Sequence, residues 1–150
     1  MAVGTGTLTV NISESVTLGG KRYGSSVTET IASINDVFER IITCPTSEIV
    51  LYLTHASVPQ GYVFDKDLVQ YVRVTNHDAT NFVSLRVTDS NNDEFVYKLE
   101  AGQSFVLWGH AASMSAADAA TAGTANADIA SIEAQADTAA CDLEVIVATT

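Results

Sequence analysis

Residues 70–108 read QYVRVTNHDATNFVSLRVTDSNNDEFVYKLEAGQSFVLW, and this stretch decides the fold class. In Tyr71-Val72-Arg73-Val74-Thr75 the two valines share one side of an extended chain, with Tyr71, Arg73 and Thr75 on the other. The polar run from Asn76 to Asn81 turns the chain, because Asn and Asp tolerate left-handed backbone angles and bond their own backbone. Phe82 to Val87 returns with Val83, Leu85 and Val87 facing inward. Asp89 to Asp93 turns again, Phe95 to Leu99 follows, and Glu100 to Gln103 leads into Ser104 to Trp108. Period-two alternation broken by Asn, Asp and Gly clusters predicts antiparallel strands with one solvated face. The arrangement expected is a four-stranded β-meander that buries Val72, Val74, Val83, Leu85 and Leu107 together.

The flanks continue the β pattern. Leu8, Val10 and Ile12 share one face of the alternating run Thr7 to Ile12, Val16 to Leu18 follows, and Gly19-Gly20-Lys21 marks a turn. Residues 1–6 are small and polar and read as a flexible arm or a pairing edge. Residues 28–43 allow two readings. Ile31, Ile34, Phe38 and Ile41 or Ile42 fit a helical stripe, whereas the β-branched content and the turn Cys44-Pro45-Thr46-Ser47 favour a strand that hairpins into Glu48 to Thr54. The chain is expected to hold at most one short helix, and this segment is the first place to look for it. His55 to Asp67 reads as a loop. Residues 109–127 hold Ala, Ser, Thr, Gly and Asp with almost nothing to bury, which predicts a loop or an arm ordered by a partner, with an Ala-rich helix around 115–120 as the other option. Ala130, Ile132, Ala134 and Ala136 share a face of the next segment, and Leu143 to Val147 closes the domain beside the first strand or the meander. About eight to ten short strands in one chain of this length mean a single antiparallel β-sandwich or barrel spanning residues 1–150.

Charge and cysteine usage narrow the function. The net charge of −11 opposes binding to a phosphate backbone, so no nucleic-acid partner is expected. Every Lys and Arg lies at or before Lys98, which leaves an acidic final third suited to solubility or to a basic partner surface. No stretch approaches the ~20 apolar residues of a membrane helix, and the first residues lack a signal peptide's basic and apolar regions, so synthesis in a cytoplasm and no membrane partner are expected. Cys44 and Cys141 are too few for a disulfide framework and read as unpaired, partly buried thiols.

Motifs that carry chemistry are sparse. His55, His77 and His110 are too far apart in sequence to form a closely spaced metal pair and read as turn histidines. Asp89-Ser90-Asn91-Asn92-Asp93 sets oxygens at the first, third and fifth positions of a calcium loop, but Glu94 replaces the glycine that should follow. A hairpin turn is the better reading. No G-x-S-x-G, phosphate loop or dinucleotide fingerprint is present; Asp65 and Asp67, flanking Lys66, read as solvated. Tyr52, Tyr62, Tyr71 and Trp108 fit core or interface packing better than a sugar-stacking platform. No catalytic, cofactor-binding or metal-binding residue is assigned, no cofactor is expected, and an enzyme is not.

The runs Tyr71 to Asn76, Asp78 to Leu85 and Lys98 to Phe105, together with the N-terminal strand and Asp142 to Val147, resemble small virion proteins of tailed bacteriophages. That resemblance implies a jelly-roll β-sandwich that decorates or cements a capsid, with the major capsid protein as partner and a homotrimer as the common assembly. It places the protein on the virion surface after synthesis in the host cytoplasm, and carries over no residue-level site, since the function of such proteins is a surface. A phage tail, neck or fibre-base protein is the nearest alternative; a carbohydrate-binding module, which needs exposed coplanar aromatics, is the alternative from another class.

Overall fold

The computed structural model describes residues 4–55, 63–109, 113–114 and 127–150. In chain order the strands are β1 (Gly6–Ser13), β2 (Val16–Leu18), β3 (Lys21–Tyr23), β4 (Ser26–Ile34), β5 (Asp36–Cys44), β6 (Ile49–His55) and β7 (Val63–Asp65). They continue as β8 (Val69–Asn76), β9 (Val83–Asp89), β10 (Glu94–Leu99), β11 (Ser104–Trp108), β12 (Ser113–Met114), β13 (Ala127–Ala136) and β14 (Cys141–Thr149). The described residues contain no helix, so 28–43 is strand throughout, broken only at Asn35.

Two sheets face each other. One has the order β11-β8-β14-β5; the other has β10-β9-β13-β6-β7, with β12 also paired to β13. Successive strands of the body alternate between them: β5 in the first, β6 in the second, β8 back in the first, β9 and β10 in the second, β11 in the first, β13 in the second, β14 in the first. Four strands on each side wound in this way are the eight-stranded jelly roll, two Greek keys folded over one core. The short ladder between β6 and β7 is parallel, and Val63–Asp65 is strand where a loop was expected.

The meander is therefore corrected. Only β9 and β10 form a hairpin; β8 pairs with β11 and β14, so the chain crosses the core between β8 and β9 and again between β10 and β11. Inward alternation is satisfied equally by a hairpin in one sheet and by a crossing to a facing sheet, which is why the pattern did not distinguish them. The hairpin expected between 37–43 and 48–54 is corrected for the same reason: β5 pairs with β14, and β6 with β13. β14 lies beside β8, as one of the two placements expected for it, and not beside β1.

The shared core holds Val72, Val74, Val83, Leu85, Val87, Leu99, Leu51, Ile132, Leu143, Val145 and Val147, with Leu107 and Phe105 partly buried against it. In β13 the expected face changes partway. The register shifts between Ile129 and Ser131, leaving Ile129, Ile132, Ala134 and Ala136 buried and Ala130 half-buried on the other side. Cys44 and Cys141 face each other in register across β5 and β14 as buried free thiols, and burial, before the opposing nudges of the Ala136 amide and the neighbouring thiol, pushes the Cys44 thiol up to about 11.

A second, smaller apolar cluster sits on the outside of the β11-β8-β14-β5 sheet. Strands β1 and β4 form a separate two-stranded ribbon, and Ile34, Leu8, Val10 and Ile31 from it pack on Tyr71, Val106, Ile146 and Ala148. Tyr71 is thus buried although it points away from the main core. The ribbon continues into the short hairpin β2–β3. Of the arm expected over 1–6, residues 1–3 lie outside the described residues and Gly6 already belongs to β1. Of the loop expected over 109–127, Gly109 donates its amide to Gln70 O at 2.7 Å, Ser113–Met114 forms β12 and Ala127 opens β13; residues 110–112 and 115–126, including the helix considered there, lie outside the described residues.

Candidate interaction surfaces

The residues singled out for chemistry are not brought together. His55 ends β6, and His77 lies beyond β8 with Nε2 3.5 Å from Glu144 Oε2; His110 and Tyr62 lie outside the described residues. No three His, Cys, Asp or Glu side chains among the described residues converge as a metal ion would require. In the Asp89 turn, Oδ1 accepts the amides of Asn91 and Asp93, both at 2.8 Å, so the acid closes the β9–β10 hairpin from within. Lys66 bridges to Asp67 at 2.6 Å, and Asp65 accepts the amide of Asp67 at 3.0 Å in the turn after β7. Of the aromatics, Tyr52 is buried and stacked on Phe64, and Tyr71 is buried with Trp108 edge-on at 69°. No sugar platform is assembled from them among the described residues.

What the fold does build is a set of distinct outer faces. On the β10-β9-β13-β6 side, Arg86 holds Glu48 through two nitrogens at 2.7 and 3.1 Å, Glu94 at 2.7 Å, and Glu133 at 3.8 Å. One guanidinium among three carboxylates leaves this face polar and net acidic. Where the two sheets open at β10 and β11, Phe95 and Tyr97 lean over Phe105 with centroids 6.5 and 5.4 Å away and planes tilted by 55° and 39°. These rings are only partly covered, and they are not coplanar.

The other outer face is divided. The ribbon base sits near β14, where the Asn35 amide donates to Thr149 O at 3.0 Å, and the ribbon passes over Tyr71 and Val106 toward Trp108 on β11. There Ile12, Val27 and Glu29 line a shallow recess with Trp108. Beyond that point Val16, Leu18 and Tyr23 are exposed, Leu18 by 71%. Lys21 lies over the Tyr23 ring at 5.4 Å, and Arg22 donates to Ser15 Oγ at 3.1 Å. Gly24, at φ 125°, lets the chain fold tightly against the Glu14 carbonyl where the ribbon meets its tip.

At the opposite end of the same sheet, β5 is the edge strand; the ribbon base reaches only its start, where Gly6, Thr7 and Leu8 line a recess with Asp36 and Val37. Val37 and Ile41 are exposed there, Ile41 by 70%, with Glu39 between them on the same side. Ile41 is paired with Glu144, and Thr43 donates its hydroxyl to Asp142 at 2.8 Å. Arg40 points the other way, its guanidinium 5.6 Å from the Phe38 ring. Burial alone would raise the Glu144 carboxyl, but the Arg73 guanidinium 2.7 Å away, helped by His77, outweighs it and holds the carboxyl below its ordinary value.

Sequence reasoning passed over the ribbon tip and the β5 stripe. A signal for the tip was present: Val16, Leu18 and Tyr23 surround the Gly19-Gly20 turn, and among the described residues β2 and β3 pair only with each other. No protein-family model matches the chain, and no curated protein matches it.

Proposed function

We propose that the protein is a structural component of a tailed-phage virion that decorates or cements the capsid by bridging major capsid protein subunits, without catalysis. The observation that carries this reading is the distribution of the chain's resources. An eight-stranded jelly roll forms a closed core, and what remains outside it is surface: an apolar-tipped ribbon, an exposed apolar edge strand and an acidic exterior. A cement protein acts by mass action, because binding only the assembled shell stabilises that shell in proportion to occupancy. Contacts shared between several copies let weak individual interfaces add to a firm attachment, which is where the homotrimer implied by the sequence resemblance enters.

The test is location. In electron micrographs of particles that contain the protein, density is expected on the head between shell subunits and should vanish when the protein is deleted. Density at the neck, tail or fibre base would move the protein there, and absence from particles would remove it from the virion.

A further inference from the structure

We infer that the ribbon tip of one copy docks on the outer side of β5 in a second copy of the chain, joining copies head to tail. The inference rests on the self-associating part of the function proposed above and names the two surfaces that would perform it.

Four observations lead there. The first is that the tip lacks the support a hairpin requires. An isolated two-stranded hairpin is marginal in water, and needs a third strand or a packed face. The inner half of the ribbon has that face on Tyr71 and Ala148, but β2–β3 has only Val16, Leu18 and Tyr23, all exposed. The second is that β5 is a nine-residue edge strand with Val37 and Ile41 exposed, the kind of long apolar edge that folded proteins cover or blunt.

The third observation is charge. The first 34 residues are electrically neutral, so residues 35–150 carry the whole net charge of −11. Within the neutral arm the two cations, Lys21 and Arg22, are adjacent at the tip, and neither has a carboxylate partner among the described residues. On the β5 side the exposed apolar residues are interspersed with Glu39 and flanked by Asp36 and Asp142; Glu39 has no basic partner among the described residues. An apolar patch carrying two cations therefore matches an apolar stripe carrying carboxylates, which favours this register over tip against tip or stripe against stripe, where like charges would meet.

The fourth is direction. The ribbon starts near β14 and runs over β8 to Trp108 on β11, so its tip extends beyond the β11 end of the sheet. The uncovered stripe is at the β5 end of the same sheet and on the same face. Tip and stripe are different surfaces at opposite ends, so their contact is heterologous. Repetition of such a contact closes into a ring when the rotation allows, and a three-membered ring is the smallest closed assembly it gives that is not two-fold.

The experiment uses the full chain in sedimentation velocity across a range of concentrations. The wild type should form a closed oligomer that weakens with salt. Leu18→Asp and Ile41→Asp, both at exposed positions and so expected to melt like the dissociated wild-type monomer, should each weaken self-association by at least about tenfold. Lys21→Glu with Arg22→Glu should weaken it too, and adding Glu39→Lys should restore part of the loss. Mixing the Leu18→Asp protein with the Ile41→Asp protein is decisive: one retains the stripe and the other the tip, so the mixture should give one-to-one pairs and no larger species. A monomeric wild type, an Ile41→Asp protein that associates normally, or a mixture without pairs would overturn the inference. So would a Leu18→Asp protein that loses particle binding but keeps its oligomer, since the tip would then belong to the shell. Binding of wild-type protein to stripped particles is measured separately: a monomer that still binds heads defeats this inference alone, and a ring that ignores them defeats the proposed function alone.

Discussion

From a position with no solvent exposure, the side-chain amide of Asn76 donates to the carbonyl of Leu99 at 3.3 Å. The same nitrogen donates to Asn81 O at 2.9 Å, Oδ1 accepts the Asp78 amide at 2.9 Å, and the Asn76 main chain exchanges bonds with Gln103 and Gly102. One residue thus holds two of the crossings between the sheets, from β8 to β9 and from β10 to β11. Asn76→Ala leaves buried carbonyls without a donor and should destabilise the fold by about 2–3 kcal/mol, read as a lower urea midpoint with an unchanged slope. An unchanged midpoint would mean that water replaces the amide and that the crossings are held elsewhere.

Val83 tests which face of β9 is the core. It is fully buried between the sheets, so Val83→Asp places an unpaired carboxylate there and should cost several kcal/mol or prevent folding, whereas Ser84→Asp on the outer face should be tolerated. A cooperative Val83→Asp protein with unchanged melting would reverse the faces.

Gly24 tests the ribbon independently of the body. Any side chain there would meet the Glu14 carbonyl, and the backbone angle of 125° disfavours other residues. Gly24→Val should open the ribbon between β1 and β2, making the arm more sensitive to limited proteolysis while the jelly roll melts as before. A lowered melting temperature for the body would show that the tip contributes to the core's stability.

Glu144 sets an acid limb. Because its folded-state carboxyl lies below the ordinary value of 4.5, it binds protons less readily than in the unfolded chain. Its stabilising contribution is therefore present above that value and disappears as pH falls through the lower, folded one. Glu144→Gln should lower stability at neutral pH and flatten the decline on the acid side, in urea titrations repeated across pH. An acid limb of unchanged steepness would assign it to other carboxylates.

The all-β class and the inward residues of β8 and β9 were legible because burial on one side imposes period two, whatever the strand pairs with. Pairing itself was not legible: Asn76 looks like any turn residue in sequence, and only its burial shows that the turn crosses the core. Alternation puts Tyr71 on the side away from the core without showing what covers it, because Leu8, Val10, Ile31 and Ile34 come from a ribbon far earlier in the chain. The β5 stripe was masked by the same ambiguity that left 28–43 open between helix and strand. Ile41 and Ile42 are adjacent and equally apolar, and the pairing of β5 with β14 decides that Ile42 faces the core and Ile41 the solvent.

The central claim is that the protein stabilises a shell by bridging its subunits. Heating particles that carry the protein beside particles from which it has been stripped or deleted tests this most directly, with genome release as the readout. The decorated heads should hold their genome to a higher temperature, and re-adding purified protein should restore the difference in proportion to occupancy. Equal release temperatures at full occupancy would contradict the claim.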